Sequence, residues 1–263
     1  MSATAGTSIT DEPGDVQALR IELAHCQARL AAAEAELADV FRVVGHDLRA
    51  PLRHITAYGQ LVREEIGQGA EAARAAPYLD TLDGAARKLG RMIDGVLALS
   101  RVASAPLSPA PLDLGALVRE VRLEVQAEAE AAGRAVEWRI APDWPVLQAD
   151  AALQRELWRA LLSNALKFTR HQPVAHIAVN WARTADGIAC RVADNGAGFN
   201  PAQAGQLFGL FRRLHRESEF DGVGAGLALA QRIVARHGGR IEATGEPGRG
   251  CTVCVVLPDQ PAA

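Results

Sequence analysis

Two glycine-rich segments constrain the C-terminal half of this chain more than any other feature. The first reads DNGAGF at 194–199, and the second reads GVGAGL at 222–227. A glycine residue adopts turn conformations without steric penalty, and it lets the backbone approach a ligand closely. The second segment runs into an apolar stretch that predicts a helix, and a glycine turn that opens a helix presents free N–H groups to phosphate. Either segment alone is weak evidence, but together they predict a nucleotide site.

Composition is that of an ordinary soluble protein. The chain has 263 residues, of which 49% are hydrophobic and 22% charged, with a net charge of −3. This length allows one large or two modest domains. No basic stripe supports nucleic-acid binding, no apolar run is long enough to span a membrane, and no signal peptide follows Met1. We therefore expect a cytoplasmic protein.

The cysteines are Cys26, Cys190, Cys251 and Cys254. The last two have the spacing of a CxxC redox or metal pair. However, they lie in a β-branched run that predicts a strand, and no second Cys/His pair completes a zinc site. A structural role is favoured.

The N-terminal region divides into two parts. Residues 1–14 are small and polar, which predicts a disordered tail. Between Val16 and Val44, apolar or small residues recur at alternating steps of three and four, which is a heptad pattern. The pattern favours a parallel two-stranded coiled coil over 15–44; the alternative is one amphipathic helix packed on its own domain.

Residues 45–104 predict a helical hairpin. Apolar stripes at 48–66 and 82–100 flank a Gly/Ala segment at 67–76, interpreted as a loop. Each helix has one apolar face, which is too little core for a hairpin on its own. Pairing two hairpins into a four-helix bundle buries both faces, so we expect a homodimer.

Prolines at 106, 109 and 111 predict a linker over 105–111, and the pattern then alternates between helix and strand over 112–258, before a short tail at 259–263. Helices are expected at 113–132, 150–169 and 224–237. Strands are expected near 135–140, 174–182, 188–194, 240–244 and 251–257. The fold class is therefore multidomain, with an α-helical N-terminal part and an α+β sandwich whose helices cover one face of a mixed sheet.

Several motifs occur in an order that resembles the transmitter core of a bacterial sensor histidine kinase. They are GHDLRAPLR at 45–53, LLSNALKFT at 161–169, the two glycine segments, FGLFRRLH at 208–215 and RHGGR at 236–240. The last two are similar to the phytochrome-like branch. The resemblance covers about 45–258. It implies a dimerisation and phosphoacceptor hairpin followed by a Bergerat-type ATPase domain of the gyrase–chaperone–kinase superfamily.

By this resemblance, the first motif is the H box, and His46 accepts the γ-phosphoryl group of ATP. The residues agree, because His46 lies two positions from both Val44 and Leu48 and points away from their apolar stripe. Asp47 can accept a proton from one ring nitrogen and leave the other as a nucleophile.

The remaining motifs imply an ATP site. In the N box, Asn164 would bind the Mg²⁺ that bridges the phosphates, Lys167 would meet phosphate oxygens, and Phe168 would pack near adenine. Asp194 would accept a hydrogen bond from the adenine amino group. Gly196 and Gly198 would give the base close backbone access. Phe208 to Phe211 and the charged segment up to Asp221 resemble the F box and the mobile ATP lid, in which Arg212 or Arg213 would reach the γ-phosphate. The phosphates would lie in a cradle formed by the second glycine segment: Gly222, Gly224, Gly226 and Leu227.

The chain departs from the family pattern in three places. Ala160 replaces an asparagine usual four residues before Asn164, which removes a polar contact near the metal. Ala50 replaces the Thr or Asn often found four residues after His46 and linked to orienting hydrolytic water, so we expect little phosphatase activity. The segment before the hairpin leaves no room for a sensor domain, so the input signal is expected from a separate protein.

The resemblance implies a kinase that passes phosphoryl from His46 to an aspartate in the receiver domain of a response regulator. One alternative is a scaffold or phosphotransfer protein that has lost turnover, which Ala160 supports. A second is a serine kinase or ATPase of the anti-sigma-factor sort, against which the histidine-bearing hairpin argues.

Overall fold

A computed structural model of the chain describes residues 17, 20, 23–27, 30, 49, 52–67, 69–216 and 218–259. The predicted tail at 1–14 and most of the predicted coiled coil at 15–44 lie outside the described residues, as do His46, Asp47 and Ala50. What the sequence predicts for them stays a prediction.

The second helix of the hairpin is longer than predicted. Residues 52–66 are helical (α1), and the second helix, α2, runs over Ala70–Ser104. The predicted loop at 67–76 was therefore wrong beyond residue 69. Alanine has the highest helix propensity, and the segment after 69 is rich in alanine, whereas the turn itself needs only Gly67, whose φ is 67°.

The C-terminal half is an α+β sandwich, which confirms the predicted fold class. Its helices are α3 (Leu114–Ala131), α4 (Ala151–Phe168) and α5 (Gly226–Arg236), with a 3₁₀ helix at Pro201–Gln206. Its strands are β1 (Ala110–Asp113), β2 (Val136–Ile140), β3 (Val146–Ala149), β4 (Ala175–Thr184), β5 (Gly187–Asp194), β6 (Arg240–Glu246) and β7 (Gly250–Leu257). The five-stranded sheet has the order β2-β4-β5-β7-β6, in which only β2 and β4 are parallel.

Two strands were not predicted. β1 begins inside the predicted linker at 105–111 and pairs with β3 in a separate antiparallel ribbon, with Ala110 opposite Ala149. Prolines concealed β1, because proline normally argues against a strand. β1 has only one neighbour, and proline is tolerated on such an edge strand.

The core lies between α3, α4 and α5 and one face of the five-stranded sheet. Alternate residues of β4, β5 and β7 point into it, and Trp158 of α4 is fully buried there. Side chains of Asp113 and Asp150 accept hydrogen bonds from backbone N–H groups at the starts of α3 and α4. This packing fixes α4 and β5, the two elements that supply the candidate site.

The end of α2 packs on this domain. Val102 is 2% exposed and belongs to the sandwich core, and its carbonyl accepts a hydrogen bond of 2.5 Å from Nη1 of Arg236. One face of α2 therefore lies along α5. Among the helices of the described residues, none has the length and apolar character needed to cross a membrane.

Candidate nucleotide-binding site

A cleft of about 270 Å³ opens between α4, the end of β5 and the segment that leads into α5. It brings together most of the residues predicted to bind nucleotide: Asn164, Lys167, Phe168, Asp194, Gly198, Arg212, Arg213, Gly222, Gly224, Gly226 and Leu227. Gly196, Phe208 and Phe211 do not line it. The cleft also contains residues that the sequence did not single out, including Arg91, Phe199, His215, Phe220 and Cys251.

α4 supplies a cation and an amide to one wall. Lys167 lies one turn beyond Asn164 on this helix, and its Nζ lies 4.4 Å from the centre of the Phe168 ring. Burial, together with the positive charge of Arg213, lowers the pKa of Lys167 to about 8, although the negative charge of Asp221 opposes the shift. Among the described residues no carboxylate forms an ion pair with Lys167, and a partly desolvated ammonium of this kind is suited to binding an anion.

Asp194 ends β5 at the other wall. Its Oδ1 accepts hydrogen bonds from the backbone N–H groups of Gly196, at 2.8 Å, and Cys251, at 3.3 Å. Burial raises the pKa of Asp194 to about 6, although both hydrogen bonds act in the opposite direction. When ionised, this carboxylate is a fixed acceptor inside a largely apolar cleft, as recognition of an amino group requires.

The first glycine turn is held against protein backbone. A Cβ at Gly198, whose φ is 61°, would lie 1.9 Å from the Glu246 carbonyl oxygen, and one at Gly196 would lie 2.5 Å from the Phe168 carbonyl oxygen. Both glycines are therefore needed for internal packing. Gly198 also faces the cleft, whereas the predicted access of a base to Gly196 finds no support in the lining.

The second glycine turn brings the start of α5 close to α4. Gly222 and Gly224 have φ values of 113° and 77°. A Cβ built at Gly222 would lie 3.5 Å from Nζ of Lys167, and one at Gly226 would lie 3.6 Å from Nδ2 of Asn164. No side chain caps the first turn of α5. The ammonium, the amide and the N-terminus of α5 thus converge on one region suited to phosphate.

An aromatic group closes the cleft from the lid side. Phe220 is 3% exposed, and its ring centre lies 5.0–5.3 Å from those of Phe168, His171 and His215. Nε2 of His215 lies 2.8 Å from the Gly198 carbonyl oxygen, which joins the lid to the first glycine turn. Phe220 is the only apolar residue in the charged segment RESEFD at 216–221, a signal that could have identified it.

The two lid arginines differ in their contacts. Nη1 of Arg213 donates to the Gly222 carbonyl at 2.6 Å, and its Nη2 donates to the Phe220 carbonyl. Arg213 therefore holds the lid to the second glycine turn. Arg212 lines the cleft.

The N–H of Phe211 donates to the Gly224 carbonyl at 3.0 Å, and Cε1 of Phe211 would lie 3.8 Å from a Cβ at Gly95 of α2.

The residues fit a magnesium ion that arrives with phosphate. The described residues contain no group of three or more His, Cys, Asp or Glu side chains able to hold a metal on their own. Magnesium commonly binds through one or two protein oxygens, water and substrate phosphates. The amide oxygen of Asn164, beside the second glycine turn, can be such a single ligand.

The N-terminal and C-terminal parts of the chain each match a known protein family. Residues 36–105 match the His Kinase A (phospho-acceptor) domain, and residues 149–261 match the histidine kinase-, DNA gyrase B-, and HSP90-like ATPase family. Methanogenesis regulatory histidine kinase FilI of Methanothrix harundinacea is 33% identical over 88% of this chain. Cyanobacterial phytochrome B of Nostoc sp. is 30% identical over 90%.

A solved structure of full-length ShkA in complex with AMPPNP is similar to 86% of this chain, with 26% sequence identity and a TM-score of 0.61, and the match covers 46% of that protein. The match covers 26% of the length of FilI and 31% of the length of cyanobacterial phytochrome B. The chain thus spans about a quarter to a third of these two curated relatives.

Proposed function

Since this chain carries the transmitter core of the sensor histidine kinases, we propose that it is an ATP-dependent protein-histidine kinase of a two-component system. It phosphorylates itself on His46 and passes the phosphoryl group to an aspartate in the receiver domain of a response regulator.

One observation carries the nucleotide part of the proposal. A single cleft holds the Asp194 carboxylate on one wall, and holds Asn164 and Lys167 beside the second glycine turn. An acceptor for the adenine amino group and a cationic phosphate site are the two features that ATP requires. The AMPPNP complex of ShkA shows that a related fold binds an ATP analogue.

Phosphoryl transfer needs positioning and neutralisation of charge more than covalent help from the protein. Lys167, the N–H groups at the start of α5 and Arg212, which lines the cleft, would hold the phosphates. Mg²⁺, ligated by Asn164, would neutralise further charge when bound. Asp47 would hold one ring nitrogen of His46 so that the other attacks the γ-phosphorus.

The affinity for ATP should be greatest between about pH 6 and pH 8, because the pKa values of Asp194 and Lys167 are about 6 and about 8. Below this window Asp194 is protonated and stops accepting a hydrogen bond. Above it Lys167 loses its charge. Calorimetric titration with AMPPNP in excess Mg²⁺ at a series of pH values measures both limits.

Two variants test whether Asp194 sets the acid limit and Lys167 the alkaline limit of ATP affinity. Asp194→Asn should weaken AMPPNP binding by on the order of 1–3 kcal/mol near neutral pH and remove the acid limit, since an amide does not titrate. Lys167→Arg keeps its charge and should remove the alkaline limit. Retention of both limits by both variants would show that other groups control binding.

We also propose that the chain is a parallel homodimer through the hairpin and the 15–44 segment. In the single chain, Ala86 and Ile93 of the predicted α2 stripe are buried, whereas Leu82 and Leu89 remain 45% and 41% exposed. Further apolar side chains on the two hairpin helices are also exposed: Ile55, Tyr58, Leu61, Val62 and Tyr78. A second hairpin would cover this surface.

The combined variant Leu82→Glu, Leu89→Glu should be monomeric at micromolar concentration, because four charges would enter the bundle of a dimer. Sedimentation velocity measures the change. Leu123→Glu, on an exposed leucine of α3 outside the hairpin, is the control and should stay dimeric. A monomeric wild type would contradict the proposed dimer.

A scaffold without turnover is the second candidate function. Ala160 places a methyl group one turn before Asn164, where the family usually has a polar side chain. Calorimetric binding of ATP without any labelled protein would favour the scaffold, and labelling of His46 only by another phosphorylated protein would favour a phosphotransfer role.

A further inference from the structure

We infer that Arg91, on the hairpin helix α2, is a ligand of the terminal phosphate of ATP. This inference rests on the proposed function, since it assigns a further residue to the same nucleotide site. It makes the ATP site a composite of both domains, because α2 belongs to the hairpin and the remaining lining residues belong to the sandwich.

Arg91 is placed at the nucleotide cleft although it belongs to the hairpin. It lines the same cleft as Lys167 and the second glycine turn, although it lies more than sixty positions before any other lining residue. The side chain is exposed, so its guanidinium is accessible to a ligand at the mouth of the cleft.

The packing of α2 shows which end of the cleft Arg91 faces. Gly95, one helical turn after Arg91, lies so close to the start of α5 that a Cβ there would be 2.8 Å from the Ala225 Cβ. Ala225 belongs to the second glycine turn, the predicted phosphate cradle. Residues i and i+4 of a helix share a face, so Arg91 projects beside that cradle and not beside Asp194.

The contact between α2 and α5 is anchored at a second point. Two turns after Gly95, the Val102 carbonyl accepts the hydrogen bond from Arg236, and the Val102 side chain enters the sandwich core. α2 is thus held along α5 from Gly95 to Val102, which fixes the direction from which Arg91 approaches.

The charge distribution leaves Arg91 available for an anion. The carboxylate on the next turn of α2, Asp94, pairs with Arg49 at 2.5 Å, and within the described part of the chain no carboxylate forms an ion pair with Arg91. By contrast, the two terminal nitrogens of Arg213 donate to the carbonyls of Phe220 in the lid and Gly222 in the second glycine turn. A guanidinium binds phosphate in a bidentate manner, so Arg91 is well suited to this role.

ATP and ADP should therefore differ in their dependence on Arg91. A contact with the third phosphate is absent from ADP. The same contact would link the nucleotide to α2, so that ATP, but not ADP, stabilises the packing of α2 against α5.

The test is calorimetry on the full chain with Mg²⁺ and two probes, AMPPNP and ADP. Arg91→Gln should raise the Kd of AMPPNP roughly five- to tenfold, as expected for loss of one charge-assisted hydrogen-bonded contact, and should change the Kd of ADP less than about twofold. Arg91→Lys should give an intermediate value. Arg87→Gln, which removes the same charge one turn earlier on α2 and outside the cleft lining, is the matched control and should leave both Kd values unchanged.

The possible results distinguish failure of the Arg91 assignment from failure of the proposed ATP binding. An unchanged Kd of AMPPNP in Arg91→Gln, or an equal loss for AMPPNP and ADP, overturns the assignment of Arg91 to the terminal phosphate. An equal effect of Arg87→Gln shows general electrostatic attraction and also overturns it. Failure of the wild-type chain to bind either nucleotide instead contradicts the proposed function.

Discussion

His46→Gln should abolish phosphorylation of the chain and leave nucleotide binding intact. Glutamine keeps a polar side chain of similar length but has no nucleophilic ring nitrogen, so the phosphoryl group has no acceptor. Apart from Arg91, the described residues that line the proposed ATP site belong to the sandwich, and they include no histidine other than His215. Labelling with γ-³²P-ATP and AMPPNP calorimetry measure the two properties separately.

The matched control is His54→Gln, on an exposed histidine of α1 that lies within the same hairpin but outside the H box. It should retain wild-type labelling. Undiminished labelling of His46→Gln, or loss of labelling in His54→Gln, would move the phosphoacceptor away from His46.

Gly198→Ala should destabilise the sandwich and strongly weaken ATP binding. The new Cβ would lie 1.9 Å from the Glu246 carbonyl oxygen and 2.8 Å from the Gly250 carbonyl oxygen, and φ at this residue is 61°. Either the first glycine turn or the β6–β7 hairpin must move. We expect a loss of about 3 kcal/mol or more in the free energy of unfolding and a fall in AMPPNP affinity of more than about tenfold.

Gly248→Ala distinguishes the effect of a steric clash by the new Cβ from the effect of backbone strain at positive φ. Gly248 has a similar φ of 74°, but a Cβ there would meet no atom within 4 Å. The strain alone should cost about 1–2 kcal/mol and leave nucleotide binding unchanged. Urea unfolding and AMPPNP calorimetry provide the comparison. Equal behaviour of the two variants would mean that the close approach at Gly198 is unimportant.

Much of the fold could be predicted because the strong signals are local. The helix and strand patterns after residue 112 match α3, α4, α5 and all five strands of the main sheet within a few residues. β3 and β1 were missed because a four-residue strand has too little periodicity to detect, and prolines obscured β1. The start of α2 was missed because an alanine-rich segment with flanking glycines fits either a loop or a helix.

The candidate site was predicted less completely, for a different physical reason. Asn164, Lys167 and Asp194 stand out in sequence because polar residues in apolar surroundings require an explanation. Arg91 does not, because an arginine on an exposed helical surface is ordinary until α2 is placed against α5. The different contacts of Arg212 and Arg213 could not be predicted either. The two residues are adjacent and of the same type, so only their positions in the folded lid distinguish them.

Incubation of the 263-residue chain with Mg²⁺ and γ-³²P-ATP, followed by acid and base treatment of the protein, tests the central claim most directly. A phosphoramidate on histidine is labile to acid and stable to base, whereas a phosphate ester of serine is stable to acid. We expect the chain to carry label that acid removes and base leaves in place. No label on a chain that binds ATP, or label that survives acid, would contradict it.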